Sequence, residues 1–200
     1  MPVAFLVVVV GILVCIVGME YAKKLTFARI NYLYANRRPD ELILYLDRPL
    51  VKRLYPKYNQ LYMTFNADLL KGDAREASRV LDALLAMKTE QNQREDLVVK
   101  AFGFYMDAGE YDRAKALMEE IRGLSDAELA MECAQMFEIL AEKSTAYIEE
   151  MTERLTSLEK DDKVQTCLLL AAQYDNLGDN KAAERYRRMV AGLLAGKDAE

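Results

Sequence analysis

The chain of 200 residues contains no histidine. That absence removes the commonest general base and the commonest neutral metal ligand. Ser-His-Asp and Cys-His nucleophilic catalysis are excluded with it. Tryptophan is also absent, and only four prolines and nine glycines are present. Few helix breakers among plentiful leucine, alanine, glutamate and lysine favour helix almost throughout. The three cysteines, Cys15, Cys133 and Cys167, form no CxxC pair, so neither a zinc knuckle nor a dithiol redox motif is available. Cys133 and Cys167 fall among apolar neighbours and read as small buried hydrophobes in a reducing compartment. No glycine-rich phosphate loop or nucleophile elbow occurs. The acid doublets Glu119-Glu120, Glu149-Glu150 and Asp161-Asp162 point about 100° apart on a helix, so each reads as a solvated face. The expectation is a protein that is not an enzyme and that takes no cofactor and no metal.

Charge is missing from the first part of the chain. Val3 to Met19 carries no charged or strongly polar side chain. Seventeen residues at about 1.5 Å each give roughly 26 Å, near the lower limit for a bilayer span. A cleaved signal peptide is the rival reading, but no basic residue precedes Lys23 and no small-x-small cleavage site follows the apolar run. The stretch 1–22 is therefore expected to be a transmembrane anchor. Lys23, Lys24, Arg29, Arg37 and Arg38 lie just after it, which by the positive-inside rule puts the N-terminus outside and the bulk of the chain in the cytoplasm. Residues 20–57 carry nine basic and four acidic side chains; residues 58–200 carry 18 and 28. The basic segment would attract anionic headgroups. The acidic remainder argues against nucleic acid, whose phosphates need a basic stripe.

Beyond the anchor one figure recurs. Gly109-Glu-Tyr-Asp-Arg-Ala-Lys-Ala-Leu-Met-Glu-Glu-Ile121 is a glycine, a short acidic turn and a helix with Ala114, Leu117, Met118 and Ile121 on one face. Gly72-Asp-Ala-Arg-Glu-Ala77 and Gly178-Asp-Asn-Lys-Ala-Ala183 repeat it. These glycines are 37 and 69 residues apart, close to one and two periods of a two-helix repeat of about 34 residues. Turns are also expected at Arg37-Arg38-Pro39-Asp40 and at Glu142-Lys143-Ser144. Helices are expected over 25–36, 41–46, 57–71, 74–87, 96–108, 111–122, about 125–141, 145–158, 160–174 and 179–194. In the first of them Phe27, Ile30, Leu33 and Tyr34 are expected on one side. Ser125 and Glu128 have the spacing of a capping box.

The figure resembles the tetratricopeptide (TPR) family, whose helix-turn-helix units stack into a right-handed solenoid. Leu170, Ala171 and Tyr174 before Gly178, with Ala183 after it, match the family pattern most fully. Tyr105, Gly109, Ala114 and Met118 match in the middle, and Gly72, Ala77 and Leu81 earlier, with Asp68 where the tyrosine would stand. The family's tryptophan and repeat-closing proline have no counterpart. The resemblance implies an all-α fold of TPR-like stacked helical hairpins, an α-solenoid, preceded by one transmembrane helix. Its parts would be an anchor at 1–22, a basic juxtamembrane segment at 23–56, a repeat domain at 57–194 and a tail at 195–200. It also implies a concave face that holds a protein or peptide, for which Tyr62, Asn66, Val99, Gly103, Phe137 and Ala172 are the candidate residues. The expected role is a membrane-anchored scaffold that binds a protein partner at the cytoplasmic membrane face. The alternative is a non-catalytic subunit of a membrane enzyme or protein-translocation assembly.

Overall fold

The structure is a computed structural model that describes the backbone of residues 2–196 and the side chains of residue 9 and residues 11–196. The protein is all-α: twelve helices and no strand occur among the described residues. The chain divides into two compact units, Met1–Thr89 and Glu90–Glu200.

The first unit begins with α1, Pro2–Ala35, an unbroken helix of 34 residues. Its C-terminal half buries Thr26, Ile30 and Leu33, the i, i+4, i+7 face that 3.6 residues per turn brings into line. Phe27 and Tyr34 lie off that face and are exposed, which corrects the expectation that they share it with Ile30 and Leu33. Two short helices follow, α2 (Pro39–Leu46) and α3 (Pro49–Leu54), each with proline in the first turn, where its missing N–H costs nothing. Pro49 thus opens a helix in a stretch whose conformation the sequence leaves open. The hairpin of α4 (Lys57–Lys71) and α5 (Ala74–Leu85) completes the unit, and α2 packs on α4. Ile30 and Leu33 of α1, Leu42 and Leu46 of α2, Val51 of α3 and Ala67 of α4 form one buried cluster.

Toward its other end α1 is exposed over its described residues. Ile12, Leu13, Val14, Ile16, Val17, Met19 and Tyr21 are all exposed, and they fall on every side of the helix. Among the described residues no helix is long and apolar enough to cross a membrane. The side chains of residues 3–8 and of Val10, which belong to the expected span Val3–Met19, lie outside the described residues.

The second unit contains α6 (Gln91–Asp107), α7 (Tyr111–Ala116), α8 (Met118–Arg122), α9 (Ala127–Leu140), α10 (Ile148–Arg154), α11 (Lys160–Leu177) and α12 (Asn180–Leu194). Neighbours in sequence are mostly neighbours in space: α6 packs on α7 and α8, α9 on α8 and α11, and α11 on α12. The expected helix 111–122 is interrupted at Leu117, whose N–H bonds three residues back to Ala114. The cap of α9 is Asp126, whose Oδ1 accepts from the N–H groups of Glu128 and Leu129 at 3.0 Å each. Ser125 instead donates its hydroxyl to Glu95 of α6, so the expected capping box does not form. Ile139, Met151, Cys167, Leu170, Tyr186 and Val190 make the buried cluster at the C-terminal end of this unit.

Three turns are built alike. Gly72, Gly109 and Gly178 all have left-handed backbones, with φ of 78°, 71° and 82°. In each, the next residue donates its N–H five residues back, from Asp73 to Asp68, Glu110 to Tyr105 and Asp179 to Tyr174, at 2.8–3.0 Å. This is the Schellman arrangement, which satisfies carbonyls at a helix end and needs a positive φ that glycine adopts without penalty. Asp73 and Asp179 then cap the returning helix by accepting from Glu76 and Ala182. Among the described residues, the non-glycine residues with positive φ are Arg37 at 51° and Lys143 at 62°. Arg38 repeats the five-back bond, to Leu33. The left-handed residues that lie between helices therefore stand at 37, 72, 109, 143 and 178, between 34 and 37 residues apart, and a further one, Gly196, follows the last helix.

Candidate functional site

The six candidate contact residues divide between the units. Tyr62 and Asn66 lie on α4 in the first, both half-buried, with Tyr62 stacked on Tyr58 at 5.9 Å. Val99 and Gly103 lie on α6, Phe137 on α9 and Ala172 on α11, all in the second. Gly103 is open-sided: nothing lies within 4 Å of where a Cβ would sit. Phe137 is 6% exposed and lines a cavity of about 260 Å³ with Met118, Ala134 and Glu138. Its ring serves the packing of α8 on α9 more than an outer surface.

A second, smaller concavity of this unit lies between α9, α10 and α11 and holds about 170 Å³. Glu128, Glu132 and Gln135 face it from α9, at the i, i+4, i+7 spacing that places them on one stripe. Asp162, Gln165 and Thr166 face it from α11, and Met151 and Arg154 from α10. Gln135 is 8% exposed. Reasoning from sequence treated Asp161-Asp162 as a solvated doublet and took no notice of Gln135. The stripe on α9 was visible as a spacing, but which helix would oppose it was not.

The helix α10, which lines this concavity, is short. The turn after α9 has its left-handed residue at Lys143, but no acidic cap follows, and the chain runs irregularly to Ile148. That segment is held by side chains instead. Gln173 is fully buried and accepts from the Tyr147 N–H at 2.9 Å while donating toward the Met151 sulfur at 3.4 Å. Asn176 donates to the carbonyls of Ile139 and Ser144 at 2.9 and 3.3 Å. The Tyr147 hydroxyl donates to Glu138, and that bond to a carboxylate, with burial second, pushes its pKa up to about 12. With α10 reduced to seven residues, polar side chains of α9 and α11 face one another across open space.

No family model matches this chain, and no curated protein or solved structure matches it significantly.

Among the described residues no group of three or more Cys, Asp or Glu side chains could hold a metal ion. Burial pushes the Cys133 thiol up to about 11, with Glu132 adding to the effect, and burial raises that of Cys167. Neither has the activated thiolate that nucleophilic chemistry requires. The groove between α9, α10 and α11 presents carboxylates from α9 and α11 together with the amide of Gln135.

Proposed function

We propose that this protein is a membrane-tethered, TPR-like helical scaffold that holds a protein partner at the cytoplasmic face of a membrane. The observation that carries this reading is the form of α1. One helix has exposed apolar side chains on all sides over Ile12–Tyr21 and, without a break, contributes Ile30 and Leu33 to the core of the first unit. Water gives such a surface no reason to exist; burying it in hydrocarbon is favourable by about 25 cal/mol per Å². Lys23 and Lys24 then fall at the headgroup boundary, and the basic side chains that follow oppose translocation. The left-handed turns at 34- to 37-residue intervals support the repeat reading of the body, since a two-helix unit has that length.

The test is membrane fractionation with protease protection, followed by crosslinking in native membranes. The protein should float with the membrane fraction, its body should be cleaved only from the cytoplasmic side, and a protein partner should be crosslinked. A body protected on the cytoplasmic side, or a protein recovered wholly in the soluble fraction, would refute the tether. Replacing residues 3–19 with an unrelated hydrophobic helix separates this reading from the alternative. A recruiter keeps its partner after the swap; a non-catalytic subunit of a membrane assembly does not.

A further inference from the structure

We propose that the groove between α9, α10 and α11 binds a basic segment of a partner protein, seating one cationic side chain between Glu128, Glu132 and Asp162 and bonding it to the Gln135 amide. This rests on the reading of the helical body as a partner-binding scaffold and supplies the partner's chemistry.

The first argument is Gln135. It is 8% exposed and lines the groove, yet its amide has no hydrogen-bond partner in the protein. The other buried glutamine of this unit, Gln173, has both ends of its amide engaged, one by a main-chain N–H and one by a sulfur. The amide opens onto the groove and is left to solvent there, so a ligand that enters with donors and acceptors of its own can replace that solvent. The amide oxygen accepts from a guanidinium or ammonium, and its nitrogen donates to a peptide carbonyl.

The second argument is charge. None of the three carboxylates takes part in an ion pair with another described residue. Elsewhere in the unit acids are paired: Glu119 with Arg122, Glu120 with Arg94 and Asp175 with Arg187. Arg154 stands at the groove but turns to Glu150, 3.6 Å away. The site thus presents three carboxylates against one arginine, a net negative field that repels phosphate and acidic peptides and draws cations.

The third argument is shape. The carboxylates do not converge closely enough to hold a metal ion. They are spread along two helices above an apolar floor that includes Met151 and Leu169. An arginine or lysine fits that division, because its methylene stem lies on apolar surface while its head reaches polar groups. The volume of about 170 Å³ is the space of about five or six waters, which suits the end of one long side chain.

The experiment uses full-length protein in a non-ionic detergent and a fluorescein-labelled hexa-arginine peptide, with affinity read by fluorescence anisotropy. Wild type should bind. Glu128→Gln, Glu132→Gln and Asp162→Asn combined should weaken binding at least tenfold; all three side chains are exposed, so the fold tolerates the change. Asp107→Asn, Glu119→Gln and Glu149→Gln combined remove the same charge from exposed positions elsewhere and should change affinity less than twofold. Gln135→Met keeps the volume, removes the amide and should weaken binding about three- to tenfold. Should that variant lose its circular dichroism signature, Gln135→Glu replaces it and should tighten binding severalfold. A hexaglutamate peptide should not compete. Equal weakening by the two charge triples means diffuse attraction to an acidic surface and overturns the proposal. No binding by wild type overturns it as well, as does unchanged affinity in the folded Gln135 variant. The scaffold reading would survive those failures if native crosslinking still captured a partner, and would fall separately if it did not.

Discussion

Replacing Asp68 with asparagine should stabilise the protein at neutral pH. Asp68 stands in the last turn of α4, and its carbonyl accepts the five-back bond of the Gly72 turn. Tyrosines hold the same place in two other turns, Tyr105 under the Arg113 guanidinium and Tyr174 stacked on Tyr186. Asp68 is 5% exposed, and no donor bonds its carboxylate. Burial raises its pKa, and Asp73 and Glu76 add to the rise, while Lys71 and Arg79 oppose it. A raised folded pKa means that the native state binds the proton more tightly than the unfolded chain. Its favourable contribution is thus complete below the unfolded pKa and is lost as pH rises through the folded one. At neutral pH the ionised group is a net cost. A fully buried unpaired polar group costs about 1–3 kcal/mol; solvent at the carboxylate and the two cations offset much of it, which leaves about 1 kcal/mol at most. For a chain of this size that is about 2–4 °C in Tm. Thermal unfolding of both proteins by circular dichroism, from pH 7 down to about pH 4, isolates Asp68 from the other carboxylates. Asp68→Asn should melt higher at pH 7, and the gap should close as the pH falls. A variant that melts lower at pH 7, or a gap that does not change with pH, would refute the reasoning.

Lys143→Gly should raise stability by about 1 kcal/mol, because a non-glycine residue in the left-handed region carries a steric penalty that glycine lacks; Gly109→Ala should lower it by a similar amount, and denaturant midpoints measure both. Asn176→Ala strips the carbonyls of Ile139 and Ser144 of their donor and should cost about 1–2 kcal/mol, with faster hydrogen exchange confined to residues near 142–148. A Cys15→Ser variant should show no fast-reacting thiol at pH 7 in the native state and two after denaturation, because burial holds Cys133 and Cys167 protonated; a native thiol that reacts within seconds would contradict this.

The parts of the fold written as local chemistry were legible in the sequence. Lys57–Lys71 has the expected bounds because Pro56 precedes it and Gly72 ends it. The Gly72 and Gly178 turns were legible because glycine followed by aspartate states both halves of the geometry, the left-handed end and the next cap; at Gly109 only the first half holds, since Glu110 makes no side-chain cap. Arg37 and Lys143 adopt the same conformation without that signature, so the spacing pointed to turns there while the residue types said nothing of their form. Other differences are tertiary. Ser125 was placed to cap α9, but Glu95, thirty residues away, takes its hydroxyl. Phe27 and Tyr34 were put with Ile30 and Leu33 on apolar character, and only the position of α2 and α3 selects the face that is buried. Phe137 reads as a surface contact until α8 covers it, and Gln135 reads as an unremarkable polar residue until its burial is known.

The candidate groove coincides with the place where the chain departs furthest from its own pattern. Gly72 and Gly178 lead straight into second helices of twelve and fifteen residues, and Gly109 into one of six that α8 continues, but Lys143 leads into an irregular segment and a helix of seven. A shorter second helix buries less apolar surface, and the loss has to be offset. Gln173, Asn176 and Tyr147 do so by tying the segment to α9 and α11 through side-chain bonds that the regular turns do not need. Buried polar networks of this kind are worth keeping only where each member is satisfied. Gln135 is the exception beside that network, and it faces the space that the short helix leaves open. Local rules that fail without compensation tend to mark functional sites. The irregular segment is held by partnered side chains, whereas the Gln135 amide is left to the groove, which is why the groove, and not the irregular segment, is the place to look for a ligand.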